Sequence, residues 1–87
     1  MKIPRIKNEI LVRREEDDFY VINTENGETY KLNRTATEIL ENCKEKLSLE
    51  EIILKLSKGN KEERDLIKED ILKTIKKFIE LGFTENE

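Results

Sequence analysis

Between Gly27 and Leu40 the chain reads GETYKLNRTATEIL, and its hydrophobic period changes partway through. Thr29-Tyr30-Lys31-Leu32 alternates polar and apolar, the period of a half-buried strand. Ala36, Ile39 and Leu40 then recur at spacings of three and four, the period of a helix. No proline and no second glycine separates the two patterns. The switch divides the whole chain. Strand signals precede Asn33 and helix signals follow it, which predicts an α+β fold with segregated elements.

Upstream of the switch, Ile10-Leu11-Val12-Arg13-Arg14 reads as a short strand. Phe19-Tyr20-Val21-Ile22, aromatic and β-branched between polar flanks, is the strongest strand signal. The acidic run Glu15-Glu16-Asp17-Asp18 forms a solvated turn between them, because four adjacent like charges repel inside a packed element. Asn23-Thr24-Glu25-Asn26-Gly27 is a second turn, with Asn26-Gly27 suited to positive φ. Residues 28–32 make the third strand, and short turns in sequence predict a three-stranded antiparallel meander.

Downstream, Asn33 or Thr35 caps a first helix that carries Ala36, Ile39, Leu40 and Cys43 on one side. Ser48-Leu49-Glu50-Glu51 is a capping box opening a second helix over Leu49, Ile52, Ile53 and Leu56. A third helix begins near Lys61 or Glu62 and ends at Leu81, with Gly82 as its left-handed terminator. Its core stripe is Ile67, Ile71, Ile75 and Phe78, within about 80° of arc, flanked on one side by Asp70, Thr74, Lys77 and Leu81. Two short helices and a long one behind a small sheet predict a winged helix-turn-helix-like domain. The 87 residues suffice for one core. Residues 1–9 read as a flexible arm interrupted by Pro4, residues 10–83 as the domain, and residues 84–87 as a tail.

The inventory of reactive groups is short. With no histidine and a single cysteine, the chain lacks the commonest base, the commonest metal ligand and any nucleophile–base pair. Cys43 lies on the apolar side of its helix and reads as a small buried hydrophobe. The paired carboxylates fall in turns or at helix starts and read as solvated surface. Asp70 stands apart as a carboxylate beside the core stripe, either paired with Lys73 or Lys77 or facing a partner. No enzyme activity, metal or cofactor is expected. No segment is long and apolar enough to cross a membrane, and a lone cysteine suits a reducing, cytoplasmic setting. A formal net charge of −3 lacks the basic excess of a nonspecific nucleic-acid binder.

If the strands follow meander order, residues 28–32 form an edge without proline and with one charge, Lys31, against pairing. Such an edge invites strand addition by a peptide. The residues that raise this expectation also carry a family resemblance. Phe19-Tyr20-Val21-Ile22-Asn23, Asn26-Gly27 and Tyr30-Lys31-Leu32-Asn33-Arg34-Thr35-Ala36 with Ile39-Leu40 are followed by Ser48, Glu51 and Ile52, by Asp70-Ile71 and by Leu81-Gly82-Phe83. In this order and spacing they resemble the PqqD-like family, the stand-alone precursor-peptide recognition element of ribosomally synthesised, modified peptides (RiPPs). The chain departs from it at Lys44-Glu45-Lys46, where the family often has Asp-Gly.

The resemblance implies a non-catalytic adaptor that binds a precursor leader peptide by β-strand addition. The leader would then be presented to a RiPP-modifying enzyme, a radical SAM maturase or a leader peptidase. It places the peptide groove at Glu28, Thr29, Tyr30, Lys31 and Leu32 on the strand and Ile67, Asp70, Ile71, Thr74 and Lys77 on the third helix. The alternative built from the same parts is a winged-helix regulator that binds nucleic acid. It would need a basic recognition helix, whereas the second helix has only Lys55 and Lys58 to set against Glu50 and Glu51, and the third helix is likewise balanced. The expected state is a monomer or weak dimer.

Overall fold

A computed structural model describes residues 3–85. Its elements are β1 (Ile10–Glu15), β2 (Asp18–Asn23), β3 (Glu28–Leu32), α1 (Arg34–Lys44), α2 (Leu49–Ser57) and α3 (Arg64–Glu80). The strands form one antiparallel sheet in the order β1-β2-β3, so the strands and helices are segregated as the change of period demands. In β2 the alternation is complete: Phe19, Val21 and Asn23 are buried while the residues between them are half-exposed. That buried face meets Ile39, Leu40 and Cys43 of α1, Leu49 and Ile52 of α2, and Ile71, Ile75 and Phe78 of α3 in one core. Each fully buried Ile or Leu contributes about 1.5–3 kcal/mol over an exposed one.

Helix starts follow local chemistry. The Asn33 side chain accepts from the Ala36 N–H at 2.7 Å, so Asn33 is the cap of α1. In α2 both halves of the capping box form, Glu51 N–H to Ser48 Oγ at 3.1 Å and Ser48 N–H to Glu51 Oε1 at 3.0 Å. α3 starts later than its periodicity suggests. Lys61-Glu62-Glu63 supplies neither a capping side chain nor an apolar contact, and residues 61–63 stay in a turn held by Glu62 N–H to Asn60 Oδ1. Gly82, at φ 79°, ends the helix and turns the chain so that Phe83 enters the core.

The expected flexible arm is tied down over the residues described. Ile6 pairs with Thr84 as an antiparallel bridge, and both are buried. Pro4 does not prevent this, because the N–H donors used are those of Lys7 and Glu85, bonded to Phe83 and Arg5 carbonyls at 2.9 Å. The tail is therefore paired at Thr84 and Glu85. The outermost residues, 1–2 and 86–87, lie outside the described residues.

Candidate functional site: an open strand edge

Consecutive residues of a strand direct their N–H and C=O to opposite edges. The Thr24 N–H donates to the Glu9 carbonyl on the β1 side at 2.9 Å, so Ile22 and Tyr20, in step with Thr24, also face β1. The Asn23 carbonyl instead accepts from Gly27 N–H at 2.7 Å on the β3 side, so Val21 and Phe19 face β3. Their registered partners Glu28, Tyr30 and Leu32 then point back into the sheet. It follows that Thr29 and Lys31 direct their N–H and C=O groups away from it. The outer edge of β3 thus presents two donors and two acceptors to whatever lies alongside.

β1 is an edge as well, which the sequence reading overlooked, but it is partly occupied. Ile10 faces outward there, and its N–H donates to the Lys7 carbonyl at 3.1 Å while its carbonyl accepts from Lys44 Nζ. No comparable partner covers Thr29 or Lys31 among the described residues.

Side chains alternate across β3 with a different consequence. Tyr30 and Leu32 lie on the core face and are half-buried, whereas Glu28, Thr29 and Lys31 are exposed. Lys31 pairs with Asp18 across the outer face at 3.2 Å. The Tyr30 hydroxyl donates to the Glu28 carboxylate, and that bond holds the phenol above its ordinary pKa. The Tyr30 ring meets Phe83 edge-on with centroids 5.4 Å apart, and Phe83 lies 5.8 Å from Phe78 of α3. This aromatic chain joins the edge strand to the end of α3. Phe83 is absent from the residues named from sequence; its position after the helix-ending glycine was the available signal.

On α3, Arg64, Asp65 and Lys68 share a cleft with Glu50, Ile53 and Leu54 of α2. Asp65 and Lys68 sit about 60–120° to one side of Ile71, so Asp70, Thr74 and Leu81, about 60–100° to the other, form the flank away from α2. Of the helix residues named from sequence, Ile67 and Thr74 are half-buried, and Asp70 and Lys77 are exposed. Asp70 makes no ion pair among the described residues, since Lys73 pairs with Glu69 at 3.2 Å. Ile71 is the exception: it is completely buried, so it supports the flank from within and cannot line a surface groove.

Cys43 is 3% exposed, and burial pushes its thiol up to about 11. Among the described residues no three histidine, cysteine or acidic side chains gather as a metal site. No helix described is long and apolar enough to cross a membrane.

A three-stranded sheet under three helices defines a winged-helix-like α+β domain. The chain belongs to the PqqD family, described as coenzyme PQQ synthesis protein D, which it matches over residues 19–83. Two solved structures share the fold. A lasso peptide synthetase B1 complexed with the leader peptide has a TM-score of 0.80 at 23% identity, covering 97% of this chain and 99% of that one. TbiB1 in complex with the TbiA(beta) leader peptide has a TM-score of 0.79 at 14% identity, covering 95% and 96%. Comparison with curated proteins finds no match.

Proposed function

We propose that this protein is a non-catalytic adaptor for a ribosomally made precursor peptide. It binds the leader as an added strand on β3 and presents it to a modifying enzyme, a radical SAM maturase or a leader peptidase. The observation that carries the proposal is the outer edge of β3, where Thr29 and Lys31 offer backbone groups with no partner among the described residues. Family membership and the likeness to two leader-bound chains support it. The groove comprises Glu28, Thr29, Tyr30, Lys31 and Leu32 facing Ile67, Asp70, Thr74 and Lys77, with Ile71 beneath. The setting is cytoplasmic, where the cysteine stays reduced.

Magnitudes are consistent with this role. Four edge hydrogen bonds contribute about 0.5–1.5 kcal/mol each. Two or three apolar anchors along Tyr30, Leu32 and the helix flank add about 1.5–3 kcal/mol apiece. Association and ordering oppose these by at least ~4 kcal/mol. A micromolar Kd, about −8 kcal/mol, falls within the balance. Main-chain pairing accepts any extended peptide, so the anchors carry the selectivity.

The test is calorimetric titration with a synthetic leader of the precursor peptide encoded nearest the gene, beside a scrambled leader and duplex DNA at the same salt. Micromolar binding of the native leader alone supports the adaptor. Binding of DNA without leader binding assigns the fold to nucleic acid instead.

A further inference from the structure

We propose that Arg5–Glu9 is a clasp that fixes the width of the β3–α3 groove. The inference rests on the leader-binding reading of that groove. Among the described residues no backbone hydrogen bond joins β3 directly to α3; the walls meet through the Tyr30–Phe83 ring contact. The segment before β1 supplies the missing ties. On the strand side, the Glu9 carbonyl accepts both the N–H and the hydroxyl of Thr24, each at 2.9 Å, in the turn that leads into β3. Lys7 Nζ reaches Glu25 in the same turn at 3.4 Å.

On the helix side, Lys7 N–H donates to the Phe83 carbonyl and Glu85 N–H to the Arg5 carbonyl, both at 2.9 Å, around the Ile6–Thr84 pair. Five consecutive residues therefore hold the turn before β3 with one end and the exit of α3 with the other. They also hold Phe83, the ring on which Tyr30 rests. Side-chain packing alone permits two walls to slide, whereas backbone bonds on both sides set their separation. A leader strand must satisfy the edge at Thr29 and Lys31 while its anchors touch the α3 flank, so the separation decides whether both contacts are made. A gap of 0.5–1 Å forfeits about a quarter to a half of each van der Waals contact. Across the anchors that amounts to about a tenfold loss in affinity.

The experiment uses the full chain carrying Cys43→Ala, with spin labels at Lys31→Cys and Lys77→Cys on opposite walls. Lys7→Pro with Glu85→Pro removes both backbone donors of the clasp on the α3 side and leaves the groove side chains in place. Electron-spin distance measurements are expected to give one narrow distribution with the clasp intact and a longer, broader one without it. In unlabelled chains the double variant is expected to bind the synthetic leader about tenfold more weakly. Should the double variant lose its helical circular dichroism, Glu85→Pro alone carries the comparison. An unchanged distance distribution in the folded double variant, which lacks both of these backbone donors, overturns the clasp. The distances do not depend on leader binding, so a failure of the leader assignment is seen separately.

Discussion

Lys31→Pro distinguishes an outward-facing edge residue from an inward-facing one. Proline removes an N–H, and at Lys31 the register leaves that N–H outside the sheet, so no ladder bond is lost. The side chain gives up an ion pair with Asp18 whose partners are 64% and 47% exposed, a pair worth about 0–1 kcal/mol. A domain of this size loses about 4–8 °C in Tm per kcal/mol, so the variant should melt within that interval of the parent. Tyr30→Pro should behave differently. It removes an N–H directed at β2, orphans an acceptor at a cost of about 1–3 kcal/mol, and strips the ring from Phe83. Leader affinity should fall with Lys31→Pro by the value of one edge bond, about 0.5–1.5 kcal/mol, or roughly two- to twelvefold in Kd. Thermal melting and calorimetric titration read the two effects separately. Unfolding by Lys31→Pro would show that its N–H points inward, and unaltered affinity would remove the leader from this edge.

The helix supplies a second contrast: Ile71→Ala should cost about 2–5 kcal/mol because its side chain is completely buried, whereas Thr74→Arg should leave Tm nearly unchanged and weaken leader binding. Ser48→Ala should cost about 1 kcal/mol by removing the cap of α2. The Ser48 N–H and then its hydroxyl hold Glu51 below the usual carboxylate pKa, so this stabilisation is present above the usual range and is lost as pH falls through the folded value. Denaturant melts at neutral and acid pH should therefore show the Ser48→Ala penalty shrinking in acid. Cys43 should resist thiol reagents until the domain opens. Because its thiol ionises near 8.5 when unfolded but only at about 11 when folded, stability should decline as pH rises through that window, and Cys43→Ala should flatten the decline.

Elements whose residues state their own chemistry were legible from the chain alone. Residues 28–32 alternate, Asn33 and Ser48 cap, and Gly82 terminates, so β3, the start of α1, the start of α2 and the end of α3 stand where these signals put them. Features that depend on contacts between distant residues were not legible. Ile67 and Ile71 share one stripe by helical period, yet only tertiary packing decides that Ile71 is sealed and Ile67 half-covered. Pro4 suggested a free arm, because no local rule shows that Lys7 and Glu85 would find acceptors across the chain. Phe83 has no periodic partner in sequence, and its role emerges only when the Gly82 turn carries its ring to Tyr30. For the site itself, the edge strand was readable from alternation, but which of its residues face outward required the register.

The central claim is that a leader peptide pairs with the outer edge of β3, and amide hydrogen exchange followed by NMR tests it most directly. In the free protein, Thr29 and Lys31 should exchange faster than Tyr30 and Leu32, whose N–H groups face β2. Saturating leader should slow Thr29 and Lys31 by tenfold or more, the signature of about 1.4 kcal/mol of added protection. Protection at those two amides, with smaller shifts at Asp70 and Thr74, is the predicted result. A leader that binds at saturation yet leaves Thr29 and Lys31 exchanging as before would contradict strand addition at this edge.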